Sequence, residues 1–283
     1  MLTNATIDSA LRLALDEDAP WGDVTGEAFV PDEASARAAL RAREDGVLAG
    51  IEVFARAFGL VDDEVAVDLR SSDGAPFGSG DVLAMVRGPA RAVLRAERIA
   101  LNFCQRMSGI ATLTRSYVDA AAGRARIADT RKTTPGLRAF EKHAVVCGGG
   151  HNHRFGLSDA VMVKDNHLAV LAGEGADVSE AIRAARARLP HTTVIEVEVD
   201  RLDQIPAVLD GGVDIIMLDN FSPARLREGV ELIGGRAIVE ASGNVTLATI
   251  GEIAATGVDV ISSGALTHSV RAVDLGLDLS LEN

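Results

Sequence analysis

Lysine, cysteine and aromatic residues are scarce in this sequence, and long apolar runs are lacking. Only two of the 283 residues are cysteines, Cys104 and Cys147, which excludes a disulfide framework and favours a reduced, cytoplasmic protein. No stretch reaches the roughly 20 apolar residues of a membrane helix, and the acidic N-terminal segment lacks the basic start of a secretion signal. The net charge of −13 disfavours nucleic acid and anionic lipid as partners.

The few lysines all fall in one short stretch, as Lys132, Lys142 and Lys164, while the other basic residues are arginines. A compositional bias toward arginine explains the ratio but not the clustering. Lysine is a compact point charge and arginine a planar fork, so the two are not equivalent in a binding site. The clustering therefore favours a site that requires an ammonium group.

The pattern of the chain changes near residue 110. Residues 1–110 show strand-like runs between glycine turns, followed by a helix after Pro89, and predict an α+β domain. Residues 111–283 predict a parallel α/β domain, since short apolar runs alternate with alanine-rich helical segments. We expect the C-terminal tail to pack back on the N-terminal domain. The six apolar runs are ARIADT, DAVMVKD, TTVIEVEVD, VDIIMLDN, RAIVEASG and VDVISSG.

Polar residues follow or end every one of these six runs. In parallel α/β barrels, and in crevices of open parallel sheets, ligands bind at the carboxyl ends of the strands. The repetition favours a barrel with its active site on that face over an open sheet.

The polar strand ends carry three kinds of chemistry. Clustered cations imply a substrate with several negative charges, because without a ligand they would repel one another. Two carboxylates near phosphate are typical of Mg²⁺ binding, and glycine-rich turns after the last strands suit a phosphate group. The cations are Arg131, Lys132, Arg154 and Lys164 with His153 beside them; the acids are Glu198 and Asp219; the turns are Ser242-Gly243-Asn244 and Ser263-Gly264-Ala265.

Each residue taken alone also has an ordinary structural explanation. A single basic residue in a loop is usually solvated, and a Ser-Gly turn usually binds nothing. Glu196 and Glu198 alternate on one strand, so either both face inward or one forms a structural ion pair. Cys147, His151 and His153 offer zinc ligands, but their spacing matches no standard zinc motif.

Several longer motifs follow one another along the chain: EDAPWGDVT, ERIALNFCQRMSGIAT, DTRKTTPGLR, KHAVVCGGGHNHRFGLSDAVMVKDNH, EVEVD, IIMLDNF, EASGN and SSGALTHSV. Together, along essentially the whole chain, they resemble the quinolinate phosphoribosyltransferase family. A related molybdenum-transport group tends to lose the run at Lys164-Asp165-Asn166-His167, which is intact here.

The resemblance implies a fold, a reaction and a set of site residues. The fold is an N-terminal α/β sandwich domain plus an incomplete parallel α/β barrel. The reaction is a pentosyl transfer from phosphoribosyl pyrophosphate to quinolinate, with Mg²⁺, giving nicotinate mononucleotide, pyrophosphate and CO₂ in NAD biosynthesis. The enzyme is expected to be a homodimer, with a hexamer as the alternative.

The roles that the resemblance assigns divide by ligand. Arg131, His153, Arg154 and Lys164 would line the quinolinate pocket, with Thr130 also contacting substrate and Lys132 between the two substrates. Arg98 would reach quinolinate across the dimer interface. Glu198 and Asp219 would serve the ribose hydroxyls and Mg²⁺, directly or through water or substrate. Ser242, Gly243, Asn244, Ser263, Gly264 and Ala265 would hold the 5-phosphate.

Three other functions are compatible with parts of this pattern. They are a paralogue that handles an anion in metal transport, a binding or regulatory protein with an inactive barrel, and a transferase for nicotinate. The complete set of acids and lysines disfavours the first two. The number of cations suggests a substrate with two carboxylates, which disfavours the third.

Overall fold

The computed structural model describes residues 2–173, 175 and 177–281, which divide into two compact units. The first unit comprises Met1–Arg115, Thr133–Gly149 and Leu266–Asn283. Its elements are α1 (Asn4–Asp18), α2 (Val24–Phe29), β1 (Ser35–Ala42), β2 (Gly46–Val47), α3 (Ile51–Val61), β3 (Ala66–Leu69), β4 (Pro76–Phe77), β5 (Val82–Pro89), α4 (Ala90–Ala121, which continues into the second unit), α5 (Arg138–Cys147), and, near the C-terminus, α11 (Ala265–His268) and β12 (Leu275–Leu281).

The first unit is built on an antiparallel sheet with strand order β12-β1-β5-β3. Alternate residues of β1, namely Ala36, Ala38 and Leu40, are almost fully buried, as expected of a strand with one face on a core. Helix α3 contributes Phe54 and Phe58, whose rings meet edge to face at 5.0 Å. Sheet and helices together form the predicted α/β sandwich, and β12 lies beside β1 along its whole length.

The second unit comprises Ser116–Lys132 and Gly150–Ala265 and contains all six strands predicted from the apolar runs. The strands form one parallel sheet, and crossover segments connect each strand from β6 to β10 to the next one along the chain. The elements are β6 (Arg126–Ala128), β7 (Val161–Val163), α6 (Asp165–Gly173), α7 (Val178–Arg188), β8 (Ile195–Val199), a 3₁₀ turn (Leu202–Gln204), α8 (Ile205–Asp210), β9 (Ile215–Asp219), α9 (Pro223–Ile233), β10 (Ile238–Ser242), α10 (Ile250–Ala254) and β11 (Val260–Ser262).

The strand order β6-β11-β10-β9-β8-β7 describes a barrel that is open on one side. In a closed barrel the two edge strands, β6 and β7, would pair with each other; in the part of the chain that the structure describes they do not. His151 occupies part of the edge of β6, with its backbone N–H bonded to the Ile127 carbonyl at 2.7 Å. The incomplete barrel predicted from the sequence is therefore confirmed.

Two Gly-Val-Asp turns occur within this barrel, one directly before β9 and one directly before β11. Gly212 and Gly257 have φ values of +78° and +93°, which favour glycine, and each ends a helical segment before β9 or β11. The carboxylate of Asp214 accepts the backbone N–H of Ile195 at 2.7 Å. Asp259 accepts that of Val239 at 2.8 Å. The same short motif thus fixes the register of two strand pairs.

Helix α4 runs through the position where the sequence pattern changes. It is 32 residues long and continues past residue 110 to Ala121, so the predicted boundary between 1–110 and 111–283 lies inside a helix. That boundary stays a prediction of domain organisation. Among the described residues, no helix combines the length and apolar character that crossing a bilayer would require.

Candidate active site

A cavity of about 530 Å³ opens at the carboxyl ends of the barrel strands, within the second unit. All six strands contribute a lining residue at or just beyond the carboxyl end, which is where ligands bind in parallel barrels. Eleven of the fifteen predicted site residues are brought together here. The lining consists of Thr130, Arg131, Lys132, His153, Arg154, Met162, Lys164, Glu198, Met217, Asp219, Asn220, Ser242, Gly243, Asn244 and Ser262.

One side of the cavity is positively charged. Arg131 and Lys132 follow β6, Arg154 lies in the segment between β6 and β7, and Lys164 follows β7 directly. Burial and the neighbouring Arg131 both lower the pKa of the Arg154 guanidinium. Both effects disfavour the charged form of Arg154, so an anion bound beside these two guanidinium groups would be stabilised. The Lys132 backbone N–H donates to the Thr130 hydroxyl at 3.0 Å, which shapes the turn that presents these residues.

The other side carries the predicted acids. Glu198 lies in β8 and its carboxylate contacts the Lys164 ammonium at 3.2 Å. Asp219 is the last residue of β9. Its carboxylate accepts a hydrogen bond from the Asn220 amide at 2.6 Å, and Asn220 in turn accepts one from the Asn244 amide at 2.9 Å. The strand ends are therefore linked by a chain of hydrogen bonds that ends on a predicted metal or ribose ligand.

The residues in the turns that form this series of hydrogen bonds have left-handed backbone conformations. Asn220 and Asn244 have φ values of +58° and +52°, and Gly243, directly before Asn244, has a φ of +83°. A side chain on Gly243 would place its Cβ 2.2 Å from the Asn220 side-chain oxygen. Only glycine fits there, and backbone strain of this kind concentrates at ligand sites.

The donor set on the acidic side suits Mg²⁺. Glu198 and Asp219 line both the main cavity and a smaller adjoining one with Asp200, Gln204 and Asn220. These side chains offer hard oxygen ligands, and Mg²⁺ is usually bound by one or two carboxylates together with substrate phosphates.

Four predicted site residues are not part of the cavity lining as far as the structure describes it. Ser263 is buried, with its hydroxyl accepting the Ala265 backbone N–H at 3.3 Å, and Gly264 and Ala265 follow it at the start of α11. Ser262, one residue earlier, lines the cavity. Arg98 lies exposed on α4 in the first unit.

A buried cluster that the sequence did not reveal lies beneath His153. The Nε2 atom of His153 is 3.1 Å from Glu196 and 3.6 Å from Glu240. Burial and the Glu196 charge raise the pKa of Glu240 to about 7, although His153 acts against this. Glu196 and Glu198 lie on the same face of β8: Glu198 lines the cavity, and Glu196 is buried beside the His153 ring. Both glutamates therefore face inward, which is one of the two alternatives stated for this pair. For Glu240, a lone acid within the apolar run IVEA was the available signal.

Cys147 does not group with His151 and His153 among the candidate metal clusters of the described residues. It lies in the first unit near Asp73 and His143. Burial and the Asp73 charge raise the pKa of its thiol to about 12. Cys104 is fully buried, as expected from its apolar helix, and burial raises the pKa of its thiol to about 12 as well.

Comparison with known proteins identifies similar chains over the full length. Residues 23–108 match the model of the N-terminal domain of quinolinate phosphoribosyl transferase, and residues 110–278 match that of its C-terminal domain. The nicotinate-nucleotide pyrophosphorylase [carboxylating] of Mycobacterium leprae is 44% identical, with 99% of this chain and 100% of that protein covered. The probable enzyme of the same name from Bacillus subtilis is 42% identical over 94% of this chain and 91% of that protein.

A solved structure matches this chain with similar sequence identity and coverage. The crystal structure of NadC from Streptococcus pyogenes superposes with a TM-score of 0.94 at 44% identity, and the match covers 100% of this chain and 99% of that one.

Proposed function

The chain belongs to the quinolinate phosphoribosyltransferase family, and from this premise we propose that it converts quinolinate and phosphoribosyl pyrophosphate into nicotinate mononucleotide, pyrophosphate and CO₂. This is a pentosyl transfer in NAD biosynthesis. One observation supports the assignment most directly: four cations and two acids, from the ends of four strands and from the segment between β6 and β7, line a single cavity. Such a cavity suits a dianionic acceptor beside a metal-bound sugar phosphate.

The cationic side of the cavity binds the acceptor. Quinolinate carries two carboxylates, and the guanidinium forks of Arg131 and Arg154 match carboxylate geometry. Lys132 and Lys164 add point charges near the position where the two substrates meet. Met162 and Met217 supply apolar surface for the pyridine ring.

The acidic side serves the sugar donor. The quinolinate ring nitrogen forms a bond to the anomeric carbon while the bond from that carbon to pyrophosphate breaks, and pyrophosphate leaves with the electron pair. Positive charge develops on the ribose ring, and the carboxylates of Glu198 and Asp219 stabilise it. When bound, Mg²⁺ would supply charge neutralisation for pyrophosphate, with Glu198 and Asp219 as its protein ligands.

Decarboxylation follows from the same bond. The quaternised ring nitrogen stabilises the electron pair that remains on the adjacent carbon when its carboxylate leaves as CO₂, and that carbon then takes a proton. Partial removal of water from this carboxylate in the cavity favours its loss. No covalent bond to the protein is required in this scheme.

The test of the assignment compares acceptors. With Mg²⁺ and phosphoribosyl pyrophosphate, the purified protein should turn over quinolinate with a kcat/KM far above that for nicotinate. Equal or better turnover of nicotinate would favour the non-decarboxylating transferase. Lack of turnover with either acid would favour a metal-transport paralogue or an inactive barrel.

A homodimer is part of the proposal. Four large apolar side chains of the first unit are strongly exposed: Leu13 at 73%, Trp21 at 92%, Val24 at 76% and Phe29 at 84%. Contact with a second copy of the chain would remove these side chains from water, and the Arg98 of a partner subunit is expected to complete the quinolinate site. Light scattering separates a dimer from the hexamer that the family also allows.

Mixing two inactive variants tests whether Arg98 acts across subunits. Arg98→Ala and Lys132→Ala damage different halves of a shared site, so half of randomly mixed dimers would regain one intact site. Activity should recover to about a quarter of the wild-type value. Absence of recovery, with subunit exchange shown by a tagged variant, would place Arg98 in its own subunit's site.

The cytoplasm is the proposed location. Two free thiols, Cys104 and Cys147, and the absence of a membrane-crossing helix among the described residues support it.

A further inference from the structure

Both ring nitrogens of His153 are engaged by the protein itself. The Arg154 backbone nitrogen lies 2.7 Å from Nδ1. A backbone N–H can only donate, so Nδ1 must be the unprotonated acceptor. The proton of the neutral ring therefore sits on Nε2, which points to Glu196 at 3.1 Å and Glu240 at 3.6 Å. In this tautomer neither nitrogen is left to bind a carboxylate of the substrate.

The backbone around His153 is held from several strands. Its own N–H donates to the carboxylate of Asp129 at 2.8 Å, and Asp129 is fully buried just after β6. Glu196 belongs to β8 and Glu240 to β10. Residues 153–154 are thus held by groups from the β8 and β10 strands and from the segment directly after β6.

These contacts fix the position of the Arg154 backbone. Its guanidinium donates to the Ala160 carbonyl at 3.2 Å and lies where Arg131 repels it. A cation held against a like charge moves away unless its backbone is fixed, and the hydrogen bond from Arg154 N–H to His153 provides such a fixed point.

We propose that His153, Glu196 and Glu240 form a positioning triad that holds Arg154 in place for the acceptor carboxylate, and that His153 itself is not a substrate ligand. The inference rests on the proposed function, in which Arg154 binds quinolinate. It changes the role of His153, which the family resemblance places among the quinolinate-binding residues, and it gives roles to two acids that the resemblance leaves out.

The tautomer is measurable on the unmodified protein without substrate. With ¹⁵N-labelled histidine, NMR should show His153, assigned by its loss in His153→Asn, as a neutral ring with the proton on Nε2. Adding quinolinate should leave Nδ1 unprotonated. A proton on Nδ1, in either a neutral or a charged ring, would overturn the proposal. The measurement needs no turnover, so its outcome is independent of whether the proposed reaction is correct.

Kinetics of paired variants separate positioning from a merely structural role. Glu196→Gln keeps an acceptor for Nε2–H and should leave the quinolinate KM within about threefold of wild type, whereas Glu196→Leu should raise it at least about tenfold. The KM for phosphoribosyl pyrophosphate should change little in both. Equal effects on both KM values, or no difference between Gln and Leu in variants with wild-type melting temperatures, would contradict the proposal.

A second cluster, in the first unit, supports an independent inference. His143 and Cys147 are four residues apart on α5 and so share one face of the helix. Asp73 lies opposite, with its Oδ2 2.6 Å from His143 Nε2 and 3.9 Å from the Cys147 sulfur. The three ligand atoms lie within 4.8 Å of one another.

The chemistry of this cluster suits zinc. The other oxygen of Asp73 accepts the Ile51 backbone N–H at 3.0 Å, which fixes the carboxylate and directs Oδ2 to the other two groups. Imidazole, thiolate and carboxylate are the three protein ligands of Zn²⁺, and a fourth position can be filled by water because the His143 side chain is 36% exposed. We infer that Asp73, His143 and Cys147 form a binding site for a zinc-type divalent cation, separate from the magnesium site.

Cobalt provides the spectroscopic probe. Titrating the protein with Co²⁺ should produce a sulfur-to-cobalt charge-transfer band and the visible bands of a tetrahedral site, both displaced by Zn²⁺. Cys147→Ser should remove the charge-transfer band, and Cys104→Ser should retain it. Absence of the band in the unmodified protein, or its persistence in Cys147→Ser, would overturn the inference.

Discussion

Single side chains set the charge balance of the cavity. The described lining of the cavity contains the cations Arg131, Lys132, Arg154 and Lys164 and the acids Glu198 and Asp219, and the Lys164 ammonium lies 3.2 Å from the Glu198 carboxylate. The excess of positive charge in the lining favours the binding of an anionic ligand. Removing one cation should therefore weaken binding and catalysis more than it weakens folding.

We expect Lys132→Ala and Arg154→Ala each to lower kcat/KM by on the order of 100-fold, equivalent to about 3 kcal/mol, because a charge-assisted contact is lost. Steady-state kinetics with both substrates provide the measurement. Lys142→Ala is the comparison: Lys142 is 2% exposed on α5 in the first unit, so its loss should lower stability and leave the kinetics of the folded protein much less affected. A critical Lys142 with a dispensable Lys132 would refute the placement of the site.

Gly243→Ala tests the strained turn after β10. The φ of +83° and the 2.2 Å approach of a Cβ to Asn220 should displace the hydrogen-bond chain that holds Asp219. The expected cost is about 1–3 kcal/mol. It should appear chiefly as a higher KM for phosphoribosyl pyrophosphate. Gly212→Ala, with φ +78° in a turn before the amino end of β9, is the matched control, and an equal effect on KM there would count against a specific role for the turn at Gly243.

At the scale of helices and strands, a buried ion pair joins α4 to α5. The Arg106 guanidinium donates to Glu141 from two nitrogens, at 3.1 and 2.7 Å, and also to the Thr267 carbonyl. Glu141 is 1% exposed and accepts two further hydrogen bonds from Thr134. These contacts arrange four segments of the first unit around a single carboxylate.

Arg106→Ala should lower the free energy of unfolding by about 3–5 kcal/mol, because it leaves Glu141 buried without its counter-charge. Urea denaturation provides the measurement. Arg106→Ala combined with Glu141→Gln should be more stable than Arg106→Ala alone. If Arg106→Ala and the double variant both have the same midpoint of urea unfolding as the wild type, the ion pair does not stabilise the contact between α4 and α5.

The elements of the barrel were predictable because their signals are local. Apolar runs gave all six strands, and the polar residues after them gave the cavity, since parallel strands bring their carboxyl ends to one face. Glu240 and the tautomer of His153 were not predictable, because they depend on which buried groups meet across β8 and β10. The roles of the predicted site residues come from family resemblance and remain predictions.

At the scale of the whole molecule, the buried acids make stability depend on pH. The pKa of Glu240 is about 7 in the folded protein, above the ordinary value of 4.5. Between these two values the folded state binds more protons than the unfolded state, so the free energy of unfolding falls as pH rises, by about 3 kcal/mol at most.

Glu240→Gln removes this titration. Urea unfolding at about pH 5 and about pH 8 should show a smaller loss of stability in Glu240→Gln than in the wild type, with the remaining pH dependence common to both. Identical losses in the two proteins would mean that Glu240 has an ordinary pKa when folded.

One assay tests the central claim most directly. The purified protein is supplied with Mg²⁺, phosphoribosyl pyrophosphate and quinolinate that carries an isotopic label in the carboxylate next to the ring nitrogen. We predict labelled CO₂, pyrophosphate and nicotinate mononucleotide in equal amounts. Retention of the label in a nucleotide product, or no product at all, would contradict the account.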